Sequence, residues 1–182
     1  MTDIYPGSVS GISIESCDGS RVEDIAVRNI RMEKIQCPLY ILLNRRNQAG
    51  EPYSEEASSL YWGGDISHVT IEHISAWDAE LPAILTGFED RTKAGKTIRK
   101  PIRGIQVTDY HVAYRNNREV LHIPDSFDEF LTDYPESNAH GDVDAYGLWI
   151  RHADKVALRD IQVTTRDGNT REMIRLYDVN ES

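Results

Sequence analysis

The sequence predicts an all-β protein, a right-handed parallel β-helix of about four coils. Two observations predict this fold: one short segment recurs four times, and a second family of short apolar segments lies between the copies. Repeats of this size are typical of stacked units that each bury an apolar face on their neighbours. Their unequal spacing fits a solenoid whose coils carry loops of different length.

The recurring segment alternates between apolar and polar positions in its central part. Its copies occupy residues 22–32, 66–76, 102–112 and 153–163. Alternation with a high content of Val and Ile indicates a β-strand with one inward-facing column. The members of that column are Ile25, Val69, Ile105 and Val156.

The alternation slips by one residue near the end of each copy, which predicts a corner between two strands. The residues at this position are Asn29, His73, Asp109 and Asp160. Asn and Asp suit a corner because they tolerate left-handed backbone conformations and hydrogen-bond to their own backbone.

The second family of segments supplies a further strand for each coil. Its members begin at Gly11, Pro38, Pro82, Tyr146 and Glu172. Each coil is therefore expected to contain at least three straight pieces. Charged stretches with Gly and Pro are predicted to leave the coil as loops. They cover residues 44–64, 87–101 and 114–144.

Composition bounds the class of protein. The chain has 182 residues, of which 40% are hydrophobic, and this suits a single domain that spans residues 1–182. No apolar run is long enough to span a membrane, and the start MTDIYPGS lacks the regions of a signal peptide. A net charge of −10 without a basic stripe argues against a nucleic-acid partner. No metal and no cofactor is predicted.

The two cysteines, Cys17 and Cys37, border successive predicted coils. Two cysteines alone cannot complete a structural zinc site, which takes four ligands. Two interpretations stay open. One is a disulfide, which requires the two Cα atoms to lie close together, and the other is a pair of small buried side chains.

Five stretches of the chain carry a family resemblance. They are GISIESCDGSRVEDIAVRNIRMEKIQCPLYILLNRR, LPAILTGFED, IRGIQVTDYHVAYRNN, YPES and DAYGLWIRHADKVALRDIQV. In this order they resemble the C-terminal half of glycoside hydrolase family 28, the polygalacturonases and rhamnogalacturonan hydrolases, with its pectin lyase-like β-helix. The resemblance implies a piece of a longer β-helix that acts on pectin-type polysaccharide, secreted or periplasmic.

Membership of that family implies an inverting hydrolase, in which one carboxylic acid protonates the leaving oxygen and a second carboxylate activates water. The family carries its acids in an Asn-Thr-Asp motif and an Asp-Asp pair, followed by His-Gly and Arg-Ile-Lys. Neither acidic motif occurs in this sequence, and the strand that resembles Arg-Ile-Lys holds Ser13, Ile14 and Glu15. We therefore expect the isolated chain to be inactive, with no catalytic residue assigned.

Several residues have the residue types of the missing motifs but lie at other positions along the chain. His140 and Gly141 form a His-Gly pair, but it lies far downstream of the expected strand, so a solvated loop histidine is the favoured interpretation. Close pairs of acids are interpreted in the same way, as loop residues that bond locally. These pairs are Asp78 with Glu80, Glu89 with Asp90, and Asp142 with Asp144.

The resemblance places the substrate cleft along the strand family that includes GISIES. Outward-facing side chains there, identified by alternation, are predicted to bind sugar, because aromatic rings stack on sugars and arginine holds carboxylates. The predicted substrate-binding residues are Glu15, Tyr40, Arg45, Trp149, Arg151 and Arg175. The alternative is that Tyr40 and Trp149 pack under the long loops and that the arginines are ordinary solvated surface.

Three hypotheses for the function follow. The first is the C-terminal part of a pectin-type glycoside hydrolase whose catalytic motifs lie outside this chain. The second is a non-catalytic β-helix that binds carbohydrate or serves as a scaffold. The third is an independent enzyme rebuilt around acids such as Glu15. The coding sequence upstream of Met1 discriminates among them.

A solenoid that starts at the first predicted coil exposes strand edges and apolar side chains at its N-terminal end. Such ends recruit other chains. We therefore expect self-association through this end. The side chains concerned are Ile12, Ile14, Val22, Ile25 and Val27.

Overall fold

The computed structural model describes residues 9–46, 64–115, 123–165 and 169–180. Within these ranges most residues lie in β-strands, and the one named helical element is a 3-10 turn at Ser137–His140. The strands are β1 (Ser10–Ser16), β2 (Arg21–Glu33), β3 (Cys37–Leu43), β4 (Asp65–Ala79), β5 (Ala83–Thr86), β6 (Phe88–Arg91), β7 (Thr97–Lys100), β8 (Ile102–Tyr114), β9 (Ala145–Asp154), β10 (Ala157–Thr165) and β11 (Glu172–Asn180). No helix in these ranges has the length and apolarity to cross a membrane.

Nine strands form one large parallel sheet, which is organised as two stacks. The first stack contains β1, β3, β5, β9 and β11 in spatial order. The second stack contains β2, β4, β8 and β10. The start of β8 pairs with the end of β9, Ile102 opposite Ala153, and joins the two stacks. The predicted parallel stacking of the two segment families is confirmed.

The alignment of the recurring segment is confirmed by the strand register. Ile25 pairs with Val69, and Val69 pairs with Ile105. Val156 directly precedes Ala157, which pairs with the residue after Ile105. The column therefore runs through the whole second stack.

The predicted corner is also confirmed. Asn29, His73, Asp109 and Asp160 all have left-handed backbones, with φ of 59°, 55°, 53° and 48°. Such a conformation is costly for most L-residues and is least costly for Asn, Asp and Gly. A chain that turns at the same point in each repeat therefore places these residue types there.

The main core combines apolar side chains from both stacks. Ile14, Leu39, Leu85 and Ile150 represent the first stack, and inward residues of β4 and β8 pack against them. A second apolar cluster lies on the opposite face of the first stack, around Tyr40 and Trp149. The strands of the first stack are therefore buried on both faces, as parallel strands commonly are.

The predicted loop 87–101 lies wholly in the described residues, and the predicted loops 44–64 and 114–144 lie there in part. The stretch 87–101 forms the β6–β7 antiparallel hairpin apart from the main sheet, so the prediction that it is not a core strand is confirmed. A Cβ on Gly87 would lie 2.2 Å from the Lys100 carbonyl oxygen, so only glycine fits where the hairpin closes. Residues 123–144 contain no strand, and we call them the covering segment. Residues 47–63 and 116–122 lie outside the described part.

The N-terminal end of both stacks borders a wide groove of about 1090 Å³. Ile12, Val27 and Ile30 line this groove. Within the described residues, β1 and β2 each pair with a single strand. Self-association through this end and the single-domain assignment both stay predictions.

Candidate functional site

The outer face of the first stack, predicted to hold substrate, is occupied by the covering segment. Tyr40 and Trp149 do point away from the main core, but both are buried in the second apolar cluster. Phe127 of the covering segment lies edge-on to Trp149, with ring centroids 5.1 Å apart. The prediction that these two aromatic side chains form an open sugar-binding surface is therefore corrected, and the alternative packing holds.

The arginines predicted to grip a substrate carboxylate already bind groups of the protein. Arg45 is 6% exposed, and its Nε lies 2.6 Å from Asp90 Oδ2. Arg151 donates to the carbonyl oxygens of Phe127 and Asp128, at 3.2 and 2.9 Å, and contacts the Glu129 carboxylate. Both arginines thus tie loops to the sheet, instead of lying as solvated surface.

The remaining two predicted residues are more accessible. Arg175 donates to Asp144 Oδ2 at 2.8 Å and contacts Glu172 at 3.1 Å. Glu15 accepts a hydrogen bond from the hydroxyl of Ser13. A substrate role for Arg175 and Glu15 stays a prediction.

His140 is half-buried and packs against aromatic side chains, so it is not the freely solvated loop histidine that was expected. Its ring stacks on Phe130 with centroids 3.9 Å apart, and its Nε2 lies 3.0 Å from the Tyr40 hydroxyl. Burial, together with the nearby charge of Arg151, lowers the pKa of His140 to about 4. The side chain is therefore neutral at physiological pH and packs as part of the second cluster.

The disulfide interpretation is also wrong, because Cys17 and Cys37 both carry free thiols. Both side chains are buried. Burial raises the pKa of each thiol to about 12, and the thiol of Cys37 contacts the carbonyl oxygens of Leu39 and Pro82. They serve as small buried side chains, without the thiolate that reactive cysteines need.

A polar cluster around His152 was not predicted. His152 is 4% exposed and lies with its Nδ1 2.7 Å from Asp178 Oδ2 and its Nε2 3.1 Å from Glu129 Oε2. Arg99 of the hairpin contacts Asp178, and Arg151 contacts Glu129. The cluster therefore joins the hairpin, the covering segment and the last two strands of the first stack.

The charges of this cluster compensate one another. Burial alone raises the pKa of Glu129 and Asp178, but His152 and the neighbouring arginines outweigh it and hold both pKa values below the ordinary range. Both carboxylates therefore stay ionised at neutral pH beside two guanidinium groups. We interpret this arrangement as a structural clamp, because the arginines already neutralise the carboxylates that a cation would need.

The second stack also has an open surface within the described residues. A groove of about 350 Å³ crosses β2, β4, β8 and β10 near their ends. Trp77 lies in the groove and is 43% exposed. Its neighbours across the strands are Glu33 and Ala113, and the next strand places Thr164 beside Ala113. The small Ala113 and Thr164 leave room beside the indole ring.

Three charged side chains, Glu33, Lys34 and Asp78, line the groove with Trp77. Arg115 binds Asp78 through two hydrogen bonds of 2.8 and 2.7 Å and contacts Glu80 at 3.1 Å. Lys34 contacts Glu33 at 3.4 Å on the opposite side. Asp78 and Glu80 were predicted to be loop acids, and they act as partners of Arg115. An exposed aromatic side chain with hydrogen-bonding groups at its edge is an arrangement that can hold a sugar ring.

The signal for this groove was present in the sequence. Trp77 follows Ala76, the last position of the recurring segment, and alternation therefore directs it outward. The other copies have Glu33, Ala113 and Thr164 at the same position. A single large aromatic side chain among small and polar ones predicts an exposed ring.

No family model matches the chain, and no curated protein or solved structure matches it either.

Proposed function

We propose that this chain is a right-handed parallel β-helix and the C-terminal part of a pectin-type glycoside hydrolase similar to family 28. Two parallel stacks with a shared left-handed corner support the β-helix. The stretches that resemble the family support the pectin-type substrate, because they follow one another along this chain in the same order as in the family. In this proposal the chain binds polysaccharide and contributes no catalytic acid.

The observation that carries the binding function is the half-exposed Trp77 in its groove on the second stack. Monomeric proteins bury most large aromatic side chains, and an exposed one with room beside its ring favours a stacked ligand. The covered face of the first stack offers no comparable exposed ring among the predicted residues.

Local charge favours the less anionic of the two pectin-type substrates. Two carboxylates, from Glu33 and Asp78, and one cation, from Lys34, line the groove, and Arg115 behind Asp78 is shared with Glu80. A chain of uronates would meet a net repulsion there, whereas rhamnose residues carry no charge. We therefore propose rhamnogalacturonan, bound with a neutral sugar against Trp77, in preference to galacturonan.

The Trp77→Ala variant is expected to bind rhamnogalacturonan oligosaccharides at least about tenfold more weakly than the unaltered protein. Loss of a stacked aromatic ring costs about 1.4 kcal/mol, which is a factor of ten in the dissociation constant. Isothermal titration calorimetry measures the change. Trp77→Phe, which keeps a ring, should retain part of the affinity.

Tyr134 provides the matched control. It is 66% exposed and lies outside the groove, with Arg46 5.6 Å from its ring centroid. Tyr134→Ala should leave the affinity unchanged. If Tyr134→Ala abolished binding while Trp77→Ala kept it, the sugar site would lie at the other surface and the assignment would be wrong.

The purified chain is expected to release no reducing sugar from polygalacturonate or rhamnogalacturonan above background. An inverting mechanism needs a proton donor and a general base, and neither acidic motif of the family occurs in the sequence. A reducing-sugar assay measures the result. Turnover that disappears in Glu15→Gln would instead support an enzyme with a rebuilt site.

A further inference from the structure

Histidine and aspartate side chains converge at the corner of the second stack, at some distance along the strands from the Trp77 groove. His73, Asp109 and Asp160 occupy the same left-handed position on β4, β8 and β10. His111 follows Asp109 by two residues on β8, and Gln162 lies opposite His111 on β10. The repeat thus brings two imidazoles and two carboxylates together.

One oxygen of each carboxylate is held by a neighbouring side chain. His73 Nδ1 lies 2.5 Å from Asp109 Oδ2, and the Gln162 amide donates to Asp160 Oδ1 at 2.9 Å. This hydrogen bond from Gln162 lowers the pKa of Asp160. These contacts fix the orientation of the two carboxylates. The second oxygen of each one, Asp109 Oδ1 and Asp160 Oδ2, is left for another partner.

The second oxygens face the same ring nitrogen. His111 Nε2 lies 3.1 Å from Asp109 Oδ1 and 3.5 Å from Asp160 Oδ2. This nitrogen is shielded from solvent, and both carboxylates lie within ion-pair distance of it, although neither contact has the geometry of a regular hydrogen bond. A ring nitrogen that lies between two carboxylate oxygens, with no arginine in ion-pair contact with them among the described residues, is an arrangement that ligands of a common ion can adopt.

The separations fit a metal ion. Bonds of about 2.0–2.2 Å to nitrogen and oxygen place two tetrahedral ligands about 3.3–3.6 Å apart. The three donor atoms lie within 4.8 Å of one another. Neutral imidazole with two carboxylates suits first-row divalent transition metals better than Ca²⁺ or Mg²⁺, which prefer oxygen alone.

We propose that Asp109, His111 and Asp160 bind a divalent transition metal of the Zn²⁺ class. Asp109 Oδ1, His111 Nε2 and Asp160 Oδ2 are its ligands, and His73 and Gln162 orient the two carboxylates. Hydrogen bonds from such outer side chains are a regular part of metal sites. The ligand carboxylates are partly exposed, so the fourth position is open to solvent. This inference is independent of the polysaccharide proposal.

Titration of the whole chain with ZnCl₂ in a chelator-free buffer tests the proposal by calorimetry. The unaltered protein should bind one equivalent. His111→Ala should weaken Zn²⁺ affinity by at least about a hundredfold, because loss of a ligand exceeds the 10–100-fold effect of losing an outer hydrogen bond. Gln162→Leu should weaken it by about 10–100-fold.

Asp109→Asn and Asp160→Asn keep the left-handed corner and remove one charge each, so both should fold and lose Zn²⁺. His68→Asn is the matched control, since His68 is an exposed histidine with a left-handed backbone on β4, and its Nδ1 lies 3.5 Å from Asp24 Oδ1. It should bind Zn²⁺ as the unaltered protein does. Added Zn²⁺ should also raise the melting temperature of the unaltered protein and of His68→Asn, but not that of His111→Ala.

Three results would overturn the proposal. The first is no saturable Zn²⁺ binding by the unaltered protein, which would leave a plain ion pair between His111 and the carboxylates. The second is undiminished Zn²⁺ binding by His111→Ala. The third is binding of Ca²⁺ as tight as that of Zn²⁺, which would show a site of carboxylates only.

Discussion

Trp149→Ala is expected to lower the free energy of unfolding by about 3–5 kcal/mol, the usual cost of removing a large aromatic side chain from a core. Trp149 is 1% exposed and packs against Phe127 and Tyr177, with ring centroids 5.1 and 6.1 Å away. The variant would leave a cavity between the first stack and the covering segment. Urea denaturation followed by circular dichroism measures the loss.

Two further variants make this result specific. Trp149 Nε1 is buried without a hydrogen-bond partner in the described part of the chain, so Trp149→Phe sacrifices no hydrogen bond and should cost far less. Trp77→Ala should cost under about 1 kcal/mol, because that side chain is half exposed. Equal costs for Trp149→Ala and Trp77→Ala would mean that the covering segment does not seal the first stack.

The strands and corners of this protein were predictable because each has a local chemical cause. Alternating Val and Ile specify which side of a strand is buried, as in the column of Ile25, Val69 and Ile105. A left-handed corner restricts residue type, so Asn29 and Asp109 identify it without any knowledge of the neighbours. Such signals survive in a single sequence.

The covered face of the first stack could not be predicted by alternation alone. Every residue of Cys37–Leu43 is buried, and its sequence CPLYILL is a continuous apolar run. A run of this kind indicates a strand that is buried on both faces, and it therefore predicts a buried Tyr40. The family resemblance predicts an open cleft at the same place, and the structure agrees with the apolar run. Which segment covers the strand is a long-range question, decided by contacts such as Arg151 with the carbonyl of Phe127.

Each candidate site also combines features that the sequence predicts with features that only the folded structure determines. The outward direction of Trp77 follows from its place after Ala76, so an exposed ring was within reach of the sequence. The convergence of His111 with Asp160 depends on the register between β8 and β10, and the aligned copies already implied that register. What the alignment could not supply is the orientation of the carboxylates, which side-chain hydrogen bonds determine.

Asp90→Ala is expected to lower the free energy of unfolding by about 3–5 kcal/mol, because it removes the carboxylate from a buried ion pair and leaves the Arg45 charge inside the protein. The side chains of Arg45 and Asp90 are 7% and 9% exposed, and Nε lies 2.6 Å from Oδ2. The backbone N–H of Arg45 also donates to the Leu131 carbonyl at 2.9 Å. The pair therefore connects the end of β3 with the hairpin, beside the covering segment.

A double-mutant cycle separates the interaction energy between Arg45 and Asp90 from the cost of burying a single charge. Arg45→Met should be destabilising by a similar amount, whereas the double variant Arg45→Met with Asp90→Leu should recover most of the loss, since apolar side chains of similar volume replace both charges. Urea denaturation of the four proteins measures the coupling between the two positions. Strictly additive losses would show that the two charges do not stabilise each other, and the ion pair would then not be what holds the hairpin.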